Sequence, residues 1–174
     1  MKSYIEIQVP LRYDAQWLNE LRNELSHVKV RWQMGYYHIT MAFLDETPLN
    51  VNLCPIFEKH LNGLNALTLT FDKLDVFTTL SGTHIIYLTA SDIPQSFLSV
   101  NNAIRSELMT AGCQINSPFC LHVTLGRVIG TEIHLNTLQK LVRAVSIPDI
   151  TLTLNDVDYR LFRGKVIYET KLKG

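Results

Sequence analysis

One short pattern occurs twice in the chain, and this repeat constrains the fold and the chemistry more than any other feature. The segment YYHITMAF contains His38 and Thr40, and the segment FCLHVTLGRV contains His122 and Thr124. Each histidine and threonine alternates with apolar residues, which predicts a half-buried β-strand with the imidazole and hydroxyl on one face. In a chain with six histidines, fewer than about one shuffled sequence in a hundred would carry two such copies.

Two imidazoles and two hydroxyls on one surface suit a reaction at phosphorus. Histidine titrates near neutral pH, so one imidazole can accept a proton while the other donates one. Threonine hydroxyls can bond the non-bridging phosphate oxygens and stabilise the charge of the transition state. We therefore predict His38, His122, Thr40 and Thr124 as catalytic residues. We assign His122 as the base and His38 as the acid, although the pattern leaves the reverse assignment open.

The composition is typical of a soluble globular protein. The 174 residues are 47% hydrophobic and 18% charged, and sixteen basic residues balance sixteen acidic ones. This neutrality argues against binding of long nucleic acid by charge alone. No carboxylate–histidine or Cys-x-x-Cys cluster has the spacing of a metal site, so we predict neither a metal nor a cofactor.

The organisation along the chain predicts a single compact unit. We expect one domain over residues 1–174, monomeric and cytoplasmic, because we find no signal-peptide pattern, no membrane-length apolar run and no sign of an obligate protein partner. Apolar stripes predict four helices among the strands, which begin near Asp14, at Thr47, at Pro94 and near Leu135. The order strand, helix, motif strand, helix occurs in both halves, which indicates an internal duplication.

Three further segments extend the pattern: the opening strand YIEIQVPL, the segment VRW before the first motif, and the ending YRLFRGKVIYETKLKG. Together with the two motif strands they resemble the 2H phosphoesterase superfamily, and most of all its branch of 2′-5′ RNA ligases and RNA 2′,3′-cyclic phosphodiesterases. The resemblance implies a bilobal α+β fold with a pseudo-twofold duplication. Two antiparallel sheets would face a central cleft, with the helices packed outside.

The resemblance also implies two substrate-binding residues, Phe43 near the base or ribose and Arg127 near the phosphate. Simple strand alternation places both side chains on the face away from the histidines. They would need a strand end or a bulge to turn inward.

The implied function is a metal-independent cyclic phosphodiesterase. It would open a 2′,3′-cyclic phosphate on an RNA end or a nucleotide to leave a 2′-phosphate, and reversible 2′-5′ ligation would use the same groups. One alternative is a non-catalytic nucleotide or RNA-end binding module that uses the same cleft. Another is a structural domain with neither property. Cyclic-phosphate RNA ends, 2′-5′-linked oligonucleotides and cyclic ADP-ribose phosphates all remain open as substrates.

For other polar and aromatic residues, we favour a structural role over a functional one. Trp32, Tyr36 and Tyr37 could form a wall for base stacking, but aromatic side chains in strands more often pack in a core, and we favour packing. His84 is expected to be a polar residue at a sheet edge. For the basic residues of the last hairpin we favour a solvated surface over a contact with the backbone of longer RNA.

Overall fold

The computed structural model describes residues 1–130 and 132–174. Its helices are α1 Gln16–Glu24, α2 Cys54–Leu61, α3 Gln95–Thr110 and α4 Leu135–Ala144. Its strands are β1 Ser3–Val9, β2 Val30–Trp32, β3 Tyr37–Leu44, β4 Leu67–Phe71, β5 Lys73–Thr78, β6 His84–Thr89, β7 Val123–Val128, β8 Ile150–Leu154, β9 Asp156–Leu161 and β10 Val166–Lys171.

The strands form two antiparallel sheets, which confirms the predicted α+β class. The larger sheet has eight strands in the order β10-β9-β1-β3-β7-β6-β5, with β2 paired to β7 outside that path. The smaller sheet pairs β4 with β8. The helices α2 and α3 pack on each other, and α4 packs on β5.

The larger sheet divides into two halves, which correspond to the two expected lobes. The halves join where β3 meets β7, and only the pair Ile39 and Val123 is in register there. Both side chains are fully buried in the apolar core. Each motif strand therefore has one face anchored in the core, and its other face is turned toward the space between the lobes.

The apolar core is continuous in the described residues. One cluster of buried side chains extends from Ile5 in β1 to Leu172 after β10 and includes residues of every helix. A shared core is what a single domain requires, and we keep the assignment of residues 1–174 to one domain as a proposal. None of the helices in the described ranges is long and apolar enough to cross a membrane.

The expected start of α2 at Thr47 is wrong, because this helix begins at Cys54. The Thr47 hydroxyl lies buried 2.8 Å from the hydroxyl of Ser3, where it joins β1 to the loop before α2. At the true start, the side chain of Asn52 accepts a hydrogen bond of 3.1 Å from the backbone nitrogen of Cys54. A tertiary contact thus uses the threonine that sequence alone would assign to helix capping.

Candidate active site

The junction of β3 and β7 brings the two copies of the motif together. Because the strands are antiparallel and Ile39 lies opposite Val123, His38 lies beside Thr124 and Thr40 lies beside His122. All four side chains point away from the buried face. The arrangement has an approximate twofold relation about the central pair, as the internal duplication predicts.

His122 is held in one orientation immediately before β7. Its Nδ1 lies 2.9 Å from the carbonyl oxygen of Cys120, which can only accept, so Nδ1 donates. The neutral tautomer then leaves Nε2 unprotonated. The rings of Phe77 and Tyr87 contact the imidazole edge-on, with centroid separations of 5.3 and 6.0 Å. Burial lowers the pKa of His122, and the charge of Arg127 lowers it further, although the bond to Cys120 acts in the opposite direction.

His38 is also largely desolvated, and three neighbouring cationic side chains add to the effect. Burial, followed by the charges of His122, Arg160 and Arg127, lowers the pKa of His38 to about 4. Its Nε2 is 3.6 Å from a carboxylate oxygen of Glu6, while its Nδ1 is buried without a hydrogen-bond partner. The imidazole of the free protein is therefore neutral at neutral pH. A bound anion would have to supply the charge that makes it an acid.

Glu6 is a site residue that the sequence reasoning missed. Its side chain is fully buried, its Oε1 lies 3.2 Å from Nε of Arg160, and the hydroxyl of Tyr36 donates a 3.0 Å hydrogen bond to the same oxygen. Arg160 also pairs with Asp158 at 2.9 Å. Burial raises the pKa of Glu6. Glu6 shares its charge with Arg160 and Tyr36, and burial remains the largest influence on the pKa of His38 in the free protein.

The sequence signal for Glu6 is the alternation of YIEIQV, in which Glu6 faces away from the core residues of β1. In an open sheet such a residue would be solvated. Here it lies under the aromatic and basic side chains of β9 and of the segment before β3. A fully buried carboxylate is expensive unless it is paired, and its position beside a histidine makes Glu6 a candidate functional residue.

Phe43 and Arg127 both reach the face of the histidines through β-bulges. In β3 the register with β1 skips Met41, so that Thr40 pairs with Glu6 and Phe43 pairs with Tyr4. Residues two apart on β1 share a face, so Phe43 shares the face of Thr40. The extra residue thus reverses the alternation that would have turned Phe43 away.

The second bulge occupies the equivalent position in β7. The register with β6 skips Leu125, so that Thr124 pairs with Tyr87 and Arg127 pairs with Ile85. Arg127 therefore shares the face of Thr124, in agreement with its effect on the pKa of both imidazoles. Each bulge follows directly on the threonine of its motif.

The cleft contains a pocket of about 290 Å³ between the two halves of the sheet. Its lining includes Thr40, Phe43, Phe77, Arg105, Cys120 and His122. Arg105 of α3 donates to the carbonyl oxygen of Met41, the bulge residue of β3, at 3.3 Å and also donates to the carbonyl of Ser117. Sequence reasoning gave no signal for this arginine. A separate apolar cavity of about 190 Å³, beside α2 and α3, is lined by none of the four predicted catalytic residues.

The aromatic residues divide between core and cleft. Tyr37 is buried, as the packing interpretation predicts. Tyr36 instead lies with its ring 5.5 Å from the imidazole of His38 and bonds Glu6. Phe162 of the last hairpin, which the sequence reasoning did not single out, contacts Phe43 edge-on at 5.8 Å. The outer end of the cleft therefore has an aromatic surface on which a base could stack.

Of the remaining candidates, Arg160 of the last hairpin is not on a solvated surface as expected but pairs with Glu6, whereas His84 does not join the site. His84 bonds the hydroxyl of Thr78 at 2.8 Å on the exposed end of the β5–β6 hairpin. Across residues 1–130 and 132–174, no group of three or more His, Cys, Asp or Glu side chains is arranged to hold a metal ion. The convergent groups are the two imidazoles, the two threonine hydroxyls, Arg127 and the Glu6 network.

Comparison with known proteins gives one family and several structures of similar fold. The family model of the 2′-5′ RNA ligase superfamily matches residues 10–161. A comparison with curated proteins gave no significant match. The solved structure of E. coli LigT complexed with NADP+ has a TM-score of 0.57 and 18% identity, over 99% of this chain and 98% of LigT.

Two other solved structures are more similar in shape, although they are no closer in sequence. Kluyveromyces marxianus Usb1 has a TM-score of 0.70 and 10% identity, over 98% of each chain. The protein TT0787 of Thermus thermophilus has a TM-score of 0.70 and 16% identity, over 100% of this chain and 99% of that protein. At these identities the similarity establishes the fold.

Proposed function

The chain belongs to the 2′-5′ RNA ligase superfamily of the 2H phosphoesterases, and from this premise we propose that it is a cyclic phosphodiesterase. It opens 2′,3′-cyclic phosphates on RNA ends or nucleotides and leaves a 2′-phosphate. The observation that carries the proposal is the antiparallel pairing of Ile39 with Val123, which directs two His/Thr pairs into one cleft.

The proposed reaction uses the two histidines in opposite protonation states. Nε2 of His122 takes a proton from water as the water oxygen forms a bond to phosphorus. The bond from phosphorus to the 3′ oxygen breaks, and the imidazolium of His38 gives its proton to that oxygen. The 2′ ester bond remains, so the product is a 2′-phosphate. Exchange of protons with solvent then restores both rings.

The assignment of base and acid is supported by what each ring contacts. The bond from Nδ1 of His122 to Cys120 leaves Nε2 as a lone-pair acceptor, which is what a general base needs. Glu6 lies 3.6 Å from His38 and would stabilise an imidazolium there. Thr40 and Thr124 would bond the non-bridging oxygens of the phosphate, and the nearby charge of Arg127 would favour an anion in the cleft.

Anion binding is expected to be coupled to protonation of His38. In the free protein the pKa of His38 is about 4, and a phosphate in the cleft favours the charged ring, so the pKa rises on binding. At pH values between the pKa of His38 in the free protein and its pKa in the complex, the complex holds more protons than the free protein. Binding therefore strengthens as the pH falls. We expect the affinity for adenosine 2′-monophosphate to increase by up to about tenfold per pH unit as the pH falls below the pKa of His38 in the complex and toward the free value of about 4.

The control for this linkage is His38→Gln, which removes the titrating group but keeps a polar side chain. Calorimetry in two buffers of different ionisation heat would measure the proton uptake in the wild type and in this variant. Any proton uptake that remains in His38→Gln comes from protonation of the ligand phosphate. Glu6→Gln should also reduce the uptake, because the imidazolium loses its neighbouring carboxylate. Equal uptake in wild type and His38→Gln would contradict the role of His38.

The direct test of the proposed function is turnover of 2′,3′-cyclic nucleotides and of short RNAs with a 2′,3′-cyclic phosphate end, in the presence of EDTA. We expect hydrolysis with the phosphate retained on the 2′ oxygen, as identified by phosphorus NMR. A product with a 3′-phosphate would reverse the choice of leaving group. Absence of turnover on every substrate, together with binding of 2′-phosphorylated products, would identify a binding module instead.

The binding-module alternative is favoured by one observation. The pKa of both imidazoles is lowered in the free protein, and two neutral rings provide no acid. Turnover distinguishes the two proposals, because an anion in the cleft favours the charged form of His38 whether or not it is hydrolysed.

A further inference from the structure

Two arginines lie directly opposite each other on the second half of the sheet. In the pairing of β2 with β7, Arg31 is opposite Arg127. Paired residues in antiparallel strands direct their side chains to the same face, with Cβ atoms about 5 Å apart. Because the bulge at Leu125 turns Arg127 toward the histidines, Arg31 lies on the cleft face as well.

The local packing explains why β2 holds this register. Gly126 in β7 lies under the flanking residues of β2, and a Cβ atom there would be 2.7 Å from Val30 and 3.0 Å from Trp32. These two side chains pack partly buried against the core, on the opposite side of β2 from Arg31. The absence of a side chain at Gly126 thus lets β2 approach β7 and sets the two arginines side by side.

The arginine pair has no compensating charge. Both side chains belong to exposed residues, and among residues 1–130 and 132–174 neither forms an ion pair. Other arginines of the chain do, as in the pairs of Arg12 with Asp14 and Arg143 with Asp75. Like charges directly opposite each other in a sheet are destabilising, so such a pair is expected where an anion binds.

We propose that Arg31 and Arg127 form a second anion subsite, which takes a second phosphate group of the substrate beside the phosphate that reacts. This inference rests on the proposed function and narrows its substrate class. The preferred substrate carries two phosphates, as an RNA end or a 5′-phosphorylated nucleoside does, and a nucleoside with a single cyclic phosphate fills only part of the site.

The spacing supports this assignment. Thr124 and Arg127 pair with Tyr87 and Ile85, which are two residues apart on β6, so the two positions are separated by about 7 Å along the sheet. Two phosphates on one ribose, or on successive nucleotides, can bridge such a separation. The aromatic surface of Phe43 and Phe162 lies in the other half of the cleft, so the base and the second phosphate would occupy different ends.

The experiment compares the binding of three ligands that do not require turnover: adenosine 2′-monophosphate, adenosine 2′,5′-bisphosphate, and an adenosine dinucleotide that ends in a 2′-phosphate. We expect the wild type to bind the two-phosphate ligands about tenfold more tightly than the monophosphate. Arg31→Gln should remove this preference, with less than about a threefold change for the monophosphate, and should reduce the slope of log Kd against log salt by about one.

The matched control is Lys140→Gln, which removes one positive charge from the exposed side of α4 and should behave as wild type. Arg31→Lys keeps the positive charge but loses the planar guanidinium group, and it should retain part of the preference for the two-phosphate ligands. Thermal unfolding checks the fold, and we expect Arg31→Gln to be as stable as wild type or more stable, because a like-charge repulsion is removed.

The two-phosphate ligands distinguish the sources of the second phosphate. A preference confined to the dinucleotide indicates an RNA chain, a preference confined to the bisphosphate indicates a terminal phosphate, and either result supports the subsite if Arg31→Gln removes it. Equal affinity of the wild type for all three ligands, or equal losses in Arg31→Gln and Lys140→Gln, would overturn it. If cyclic phosphates are not hydrolysed but the preference depends on Arg31, the subsite stands and the proposed function fails.

Discussion

Replacement of His122 with alanine is expected to lower kcat/KM for a 2′,3′-cyclic nucleotide by about 10³-fold, because the reaction loses the group that deprotonates water. His38→Ala should lower kcat/KM by a similar factor, because the departing 3′ oxygen is no longer protonated. Initial rates at saturating and subsaturating substrate would measure both effects. His84→Ala is the matched control, since this histidine bonds Thr78 on the exposed end of its hairpin and its removal should leave the rate within about twofold of wild type.

A substrate with a nitrophenolate leaving group separates the two roles. Such a leaving group departs without protonation, so His38→Ala should lose about tenfold or less on a nitrophenyl phosphodiester. For His122→Ala we expect the same large decrease in kcat/KM on both substrates, because water must still be deprotonated. The opposite pattern would exchange the base and the acid. Full activity of either alanine variant on the cyclic nucleotide would remove that histidine from the mechanism.

The threonine hydroxyls are expected to have the second largest effect. Thr40→Val and Thr124→Val keep the shape of the side chain but remove the donor to the non-bridging phosphate oxygens. Loss of one such donor costs about 10² to 10³ in kcat, because its hydrogen bond strengthens as charge develops in the transition state. Single-turnover rates would measure this loss apart from substrate binding.

The controls for the threonines use the same substitution elsewhere and a conservative change in place. Thr153→Val, on the exposed β4–β8 pair, should leave the rate unchanged. Thr40→Ser and Thr124→Ser retain the hydroxyl and should recover most of the activity. If the serine and valine variants lose equal activity, the methyl group rather than the hydroxyl is important, and the electrostatic role of the threonines is wrong.

Much of the site could be predicted from the sequence because its central elements are local. Alternation within YYHITMAF and FCLHVTLGRV is enough to put His38 beside Thr40 and His122 beside Thr124, since both faces of a strand are set by its own residues. The α+β class was implied by the resemblance of these and other segments to the 2H phosphoesterase superfamily. The start of α2 could not be predicted in this way, because Thr47 bonds Ser3, which is distant in sequence.

The positions of Phe43 and Arg127 were decided by strand pairing. A bulge is a property of two strands, since it exists only where the register of one skips a residue relative to the other. Nothing within β3 shows that Met41 is skipped by β1, and nothing within β7 shows the same for Leu125.

The sequence by itself determined the four motif residues and the apolar faces that anchor them, because these depend on the two-residue period of a single strand. Only the tertiary structure decided that Glu6 is buried beside His38 and that Arg31 lies opposite Arg127. Both depend on which strands become neighbours and in what register. The physical reason is that burial and charge proximity arise from contacts between distant segments, which no local pattern specifies.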